Sequence, residues 1–182
     1  MLLRLAFDVF DCGLDVGFGQ VRMTAFGRHR TQAFDDGGNE REQRHHLERR
    51  VILHQKMLTV PELVAQYSTA RAAVVPSFFE GFGFPASEAM ACGLPVIANA
   101  VGALPEVVGS DGEAGRLVPP RDARALAAAI AQVLADPARA AQMGQAARAR
   151  IARLFRWKDA AAQLVDVFEE TIRAAHRRSR AA

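Results

Sequence analysis

Lysine is nearly missing. Of 23 basic residues only two are lysine, Lys56 and Lys158, and the other 21 are arginine. With so much alanine alongside, that bias reads as codon usage rather than a surface built for a polyanion. The formal charge is only +3 over 182 residues. Nucleic-acid binding would want clustered positive charge, so it is not expected. There are two cysteines, Cys12 and Cys92, with no CxxC pair. A disulfide framework and a zinc module are both excluded, and a reducing cytoplasm is the expected compartment. No run of 18 apolar residues occurs, so no membrane-spanning helix is expected. The opening MLLRLAF is broken by Asp8, Asp11 and Asp15, which removes a signal-peptide core.

What is present is ordinary for a globular chain, 50% apolar and 24% charged. That is enough apolar side chain for one domain with a real core. The texture changes near Val51. Residues 1–50 carry glycines without rhythm and then the charged run DDGGNEREQRHHLERR. Residues 39–50 there have almost no apolar stripe and read as solvated surface, His45 and His46 included. The expected division is therefore an atypical segment 1–50, a main domain 51–175 and a basic tail 176–182.

From Val51 short apolar runs alternate with helical patterns. Strands are expected at residues 51–53, 72–75, 95–98 and 115–118. Thr59 and Glu62 form a capping box before a helix bearing Leu63, Val64 and Tyr67. Pro85 starts a short helix that Gly93 stops. Residues 104–108 make a further helical turn or two. Three longer helices follow, with apolar faces built on Leu126 and Ile130, on Met143 and Ala147, and on Trp157, Leu164, Phe168 and Ile172. Strands alternating with helices predict an α/β fold, a Rossmann-like parallel sheet with flanking helices. Such sheets bind ligands beyond the carboxyl ends of their strands, so the loops after residues 53, 76 and 98 matter most.

The loop after the second of these strands carries the chemistry. In PSFFEGFGFPASE, Gly81 and Gly83 let the backbone approach a ligand. The helix beginning near Pro85 turns its free N–H groups towards the loop, which suits a phosphate. Glu80 and Glu88 flank that point, and carboxylates accept hydrogen bonds from hydroxyls. The set fits a sugar phosphate or a nucleotide sugar. The same features also occur as plain turn glycines and a first-turn dipole partner.

Residues 72–172 resemble the C-terminal half of the group 1, or family 4, retaining glycosyltransferases of the GT-B fold. PSFFEGFGFPASEAMACGLPVIA is similar to that family's Glu-x7-Glu signature, with Glu80 and Glu88 in the two Glu positions. GALPEVVG, GRLVPPRDARALAAAI and the Phe155-x-Trp157 pair follow in the family's order. The resemblance implies that Glu80 meets the donor sugar. It places the backbone of Gly81, Phe82, Gly83 and Phe84 on sugar and phosphates, and gives Glu88 the ribose hydroxyls. It sets the base near residues 54–56. It implies retention at the anomeric carbon, no metal and no cofactor beyond the nucleotide-sugar substrate.

It also implies a second, N-terminal acceptor-binding domain. At 182 residues the chain is read as lacking it, so the alternative to an enzyme is a binding module or a subunit that pairs with a separate acceptor domain. The family's donor-side Arg and Lys would lie in residues 1–50. No lysine stands there, and Arg22, Arg28 and Arg30 are the candidate substitutes or else solvated. Segment 1–50 is read as foreign to the family, from a truncated gene or a shifted frame. Residues 14–19 could form a strand and glycine turn. Phe78, Phe79, Phe82 and Phe84 could line a lip where the other domain docks, or join the core. Trp157 is read as a core anchor, Cys92 as a small buried apolar group. Glu106 is either a dipole partner or a contact at the diphosphate end. Arg156 stands where the family often has a capping Ser, a loss of about 1 kcal/mol. The basic tail is read as frayed, with a weak peripheral membrane contact if the acceptor is a lipid.

Overall fold

In the computed structural model, residues 2–6, 22–26, 51–54 and 58–179 are described, with side chains from residue 58 onward. Six strands form one sheet: β1 (Leu2–Ala6), β2 (Arg22–Phe26), β3 (Val51–His54), β4 (Ala70–Val75), β5 (Val96–Asn99) and β6 (Gly115–Val118). Their order is β3-β2-β1-β4-β5-β6 and every neighbouring pair is parallel. This is the doubly wound order of a dinucleotide-binding sheet. The winding reverses between β1 and β4, where Leu3 stands opposite Ala72 and Leu5 opposite Val74. β2 and β5 lie on opposite sides of this pair, the point at which doubly wound sheets bind ligands.

The four strands expected from Val51 onward are present within two residues of their expected bounds. β1 and β2 were not anticipated. LLRLA and RMTAF are five-residue runs, each with one arginine, too short to carry a clear strand signal. Both lie within segment 1–50, so the sheet runs across residue 50. The expectations for residues 14–19, 28, 30, 39–50 and 55–56 and for Cys12 fall outside the described residues.

Six helices are described: α1 (Val60–Thr69), α2 (Phe84–Ala91), α3 (Leu104–Val108), α4 (Ala123–Ala135), α5 (Pro137–Leu154) and α6 (Trp157–Ser179). Their starts follow the local chemistry. Asp122 Oδ1 accepts from Ala125 N–H and Asp136 Oδ1 from Arg139 N–H, both at 2.9 Å, which satisfies first-turn donors of α4 and α5. At α1 the expected capping box is present in both directions. Glu62 Oε2 accepts from the Thr59 N–H at 2.8 Å and also from the Thr59 hydroxyl at 2.8 Å, while the Thr59 side chain meets the Glu62 backbone N–H.

At β4, β5 and β6 both faces of the sheet are covered, as parallel strands require. Ala72 and Val74 of β4 join Ile97, Leu126, Ile130 and Val133 in one apolar cluster, beneath α4. Ala73 and Val75 face the other way, with Tyr67, Met90, Val96, Leu104 and Val107. Helix α5 comes close to this second layer because residue 144 is glycine. A Cβ there would overlap the Gly93 carbonyl oxygen. From α5, Arg150 reaches the last turn of α3, with Nε on Val107 O at 2.9 Å and Nη2 on Glu106 O at 2.8 Å. Those are carbonyls the helix itself leaves open.

Helix α6 departs from expectation. None of its residues is buried, and Trp157 is 87% exposed rather than a core anchor. Its apolar stripe is real, but no described element lies over it. Arg156 provides no side-chain cap. Its guanidinium instead grips Asp159 with Nε to Oδ2 at 2.8 Å and Nη2 to Oδ1 at 3.1 Å. That hydrogen bond, helped by the charge, holds the Asp159 carboxyl below its ordinary value. The helix also runs on through His176, Arg177 and Arg178 to Ser179, where a frayed tail was expected. Positive charge in a last turn complements the helix dipole, which favours that extension.

Candidate functional site

The loop leaving β4 lies at the switch point of the sheet and leads directly into α2. Its conformation is set by glycine. Gly83 takes φ +89 and precedes α2, a backbone that L side chains rarely adopt. The Gly83 N–H donates to Glu80 Oε1 at 3.1 Å, so the carboxylate closes the loop on itself. The first helical hydrogen bond is Ser87 N–H to Gly83 O at 2.9 Å. Phe84 and Ala86 N–H groups therefore belong to a first turn without intrahelical acceptors. Pro85 has no N–H to leave open, which is why proline fits there.

Neighbouring elements hold this loop from below. Asn99 ends β5, is 4% exposed, and its Nδ2 donates to the carbonyls of Pro76 at 2.9 Å and Ser77 at 3.1 Å. The Ala103 N–H donates to Glu80 O at 3.1 Å. Gly102 beside it has φ +51, and any Cβ there would fall on the Glu80 carbonyl. Glu88, in the second turn of α2, accepts from the Tyr67 hydroxyl at 3.2 Å. Glu80 and Glu88 are both half-buried. Thus Glu80 and the glycine turn lead from β4 into the amino end of α2, with Glu88 one turn further along that helix. Asn99, Gly102 and Tyr67 were missed, because they act on the loop from other parts of the chain.

Of the aromatics, Phe79 is 84% exposed, and Phe78, Phe82 and Phe84 are exposed as well. Phe82 lies 4.6 Å from Phe84 and 5.9 Å from Phe155 between ring centroids. The apolar lip expected at the loop is present, and through Phe155 it reaches the residues just before α6. Arg121, whose φ of +62 is unusual away from glycine, stands 5.6 Å over the Phe78 ring. Glu106 falls in the first turn of α3, with its carbonyl taken by Arg150. Cys92 is half-buried against the second core cluster. Among the described residues no three His, Cys, Asp or Glu side chains come together as a metal site. Among the same residues no helix is long and apolar enough to cross a membrane.

The sheet order and its decorated switch point define one Rossmann-like domain of the GT-B glycosyltransferase fold. Residues 20–150 match the glycosyl transferases group 1 family, and the chain belongs to that family. The matched stretch begins inside segment 1–50. A curated relative is the MMP alpha-(1->4)-mannosyltransferase of Mycolicibacterium hassiacum, 45% identical over 115 residues, which are 63% of this chain and 28% of that protein. Among solved structures, sucrose-phosphate synthase from Thermosynechococcus elongatus is similar over 94% of this chain and 46% of its own, with TM-score 0.77 and 36% identity. Anabaena HepE in complex with UDP shares the fold at TM-score 0.77 and 23% identity, over 92% of this chain and 48% of its own. The chain thus spans about half the length of these structures and about a quarter of the curated relative.

Proposed function

We propose that this domain binds the nucleotide-sugar donor of a retaining glycosyl transfer. One observation carries the reading: a Glu-Gly-Phe-Gly turn closed by its own carboxylate feeds the amino end of α2, with Glu88 following on that helix. In this reading Glu80 receives the donor sugar's hydroxyls. The backbone of residues 81–84 lies along sugar and phosphates, and Glu88 takes the ribose. Transfer breaks the bond between the anomeric carbon and the diphosphate and forms one to an acceptor oxygen. The negative charge that develops on the departing diphosphate faces the first-turn N–H groups of α2, where fixed dipoles stabilise it without reorganisation. No metal or cofactor enters this scheme. HepE was solved with UDP, which supports a nucleoside diphosphate here. The donor unit is residues 51–175, with β1 and β2 completing its sheet. The two widely spaced cysteines suit a cytoplasmic setting.

The exposed aromatics around the loop and the uncovered stripe of α6 favour a second reading for the whole assembly. The acceptor is bound by a second domain that docks there, and residues 1–182 hold the donor. The side chains of α6 include Asp159, Asp166, Glu169 and Glu170 as well as Lys158, Arg173, Arg177 and Arg178. Mixed charge of this kind suits a protein partner better than nucleic acid or an anionic membrane.

Calorimetric titration of the purified chain with UDP, GDP and ADP sugars tests the proposal. Binding to one nucleotide class, abolished by Glu88→Ala, is the expected result. A cooperatively folded chain that binds none of them would overturn it.

A further inference from the structure

Tyr67 is the only tyrosine in the chain. It ends up 1% exposed on α1, within the cluster that includes Ala86, Ala89 and Met90 of α2. Phenylalanine would fill nearly the same space without bringing in a hydroxyl that needs a partner when buried. On α2 the hydroxyl has two partners. It lies 3.2 Å from the Pro85 carbonyl and 3.2 Å from Glu88 Oε2. One proton serves both acceptors, which explains a distance longer than an undivided O–H to carboxylate bond. Among the described residues no hydrogen bond is made to Glu88 Oε1. One carboxylate oxygen is therefore tied to α1 while the other is left for something else.

We propose that Tyr67 is a positioning residue for Glu88. By holding Oε2 it fixes the side-chain torsions of Glu88 and presents Oε1 to a ribose hydroxyl of the bound nucleotide. The arrangement lets α1, which touches no ligand in this scheme, set the geometry of the nucleoside end. A free glutamate would have to be ordered on binding, and each immobilised flexible side chain weakens association. The inference rests on the reading of Glu88 as the ribose contact.

The test compares wild type, Tyr67→Phe, Glu88→Gln and the double variant. Each is titrated with whichever of UDP, GDP and ADP binds, and with the 2′-deoxy form of that nucleotide. Tyr67→Phe is expected to weaken the ribonucleotide by about threefold to tenfold, the size of one hydrogen bond. It should leave the deoxynucleotide within about twofold, a difference inside what surface-type changes produce. In the Glu88→Gln background the same change should add nothing. Equal weakening of both nucleotides by Tyr67→Phe, with Glu88→Gln weakening only the ribonucleotide, would mean that Tyr67 only packs; the inference fails and the Glu88 reading stands. A Glu88→Gln change that weakens both nucleotides equally, or neither, overturns that reading and the inference together, as does absence of binding by all three nucleotides. Should Tyr67→Phe not fold, 3-fluorotyrosine labels this one site in the wild-type chain. Its fluorine resonance should move with the ribonucleotide more than with the deoxynucleotide, and equal movement would refute the inference.

Discussion

The backbone of Gly102 lies directly against the carbonyl of Glu80, so closely that a side chain on residue 102 would occupy the place of that oxygen. The loop after β5 thereby props up the loop after β4. Gly102 also has φ +51, which a larger residue resists. Gly102→Ala should cost about 2 kcal/mol or more of stability, since strain and overlap act together. It should also lower nucleotide affinity. Urea unfolding and calorimetry on the same variant check both.

Glu80 serves the loop through Gly83 and, in the proposed function, the sugar through its hydroxyls. Glu80→Gln keeps an acceptor for the Gly83 N–H but gives up the charge. It should weaken a nucleotide sugar by about tenfold or more, as hydrogen bonds to charged groups do. The bare nucleoside diphosphate should bind nearly as before. Paired titrations with UDP-glucose and UDP, or the GDP or ADP pair, decide this.

Helix propensity and packing disagree at Gly144. In an exposed helix interior, alanine in place of glycine gains about 1 kcal/mol. Here the added methyl would meet the Gly93 carbonyl and force α5 away from the turn before β5. Gly144→Ala should therefore destabilise by about 1–3 kcal/mol, the usual range for overpacking. Thermal unfolding that moves upward instead would contradict the close approach.

Asp159 titrates below the ordinary carboxylate range because Arg156 donates to it. A carboxylate with a lowered folded-state value stabilises the start of α6 above its unfolded value and loses that contribution as pH falls through the lowered one. The pair is solvent-exposed, so salt should weaken it. Carboxyl NMR of Asp159 should show the lowered value, and Arg156→Ala should return it towards normal.

No residue of α6 is buried, so changing its stripe should leave the core intact. Phe168→Ser with Leu164→Ser should alter global stability by less than about 0.5 kcal/mol, as for surface positions. The same pair should abolish association with a separately produced acceptor domain, measured by sedimentation. A large loss of stability would show that the stripe packs on this chain itself.

Much of the site was legible because its chemistry is local. Glu80, the two glycines, Pro85 and Glu88 occupy nine consecutive positions, and each residue type has a conformational or chemical reason to stand there. The strands from Val51 onward announce themselves as apolar runs between turn residues. What could not be read is the support. Tyr67 looks like one apolar position of a helix, Asn99 like a strand end, and Gly102 like any loop glycine. Their roles come from sheet neighbours that sequence spacing does not reveal. Trp157 and the α6 stripe mislead in the opposite direction, since an amphipathic pattern records that a face wants cover and not what covers it. β1 and β2 escaped notice because five mixed residues carry little periodic signal.

The position of β1 between β2 and β4 has a consequence for how the chain is made. Among the described strands β1, the earliest in sequence, is bonded on both sides at the middle of the sheet. Its pairing of Leu2 with Ala70 must wait until nearly seventy residues have emerged. β4, β5 and β6 follow one another in both sequence and space, so that half can assemble from short-range closures. Folding should then begin in the carboxyl half and finish when the oldest strand slots in beside β4, with slow, long-range closure as the final step. Until then β4 has an open edge, and the chain is most exposed to wrong pairing while β1 is still apart from it.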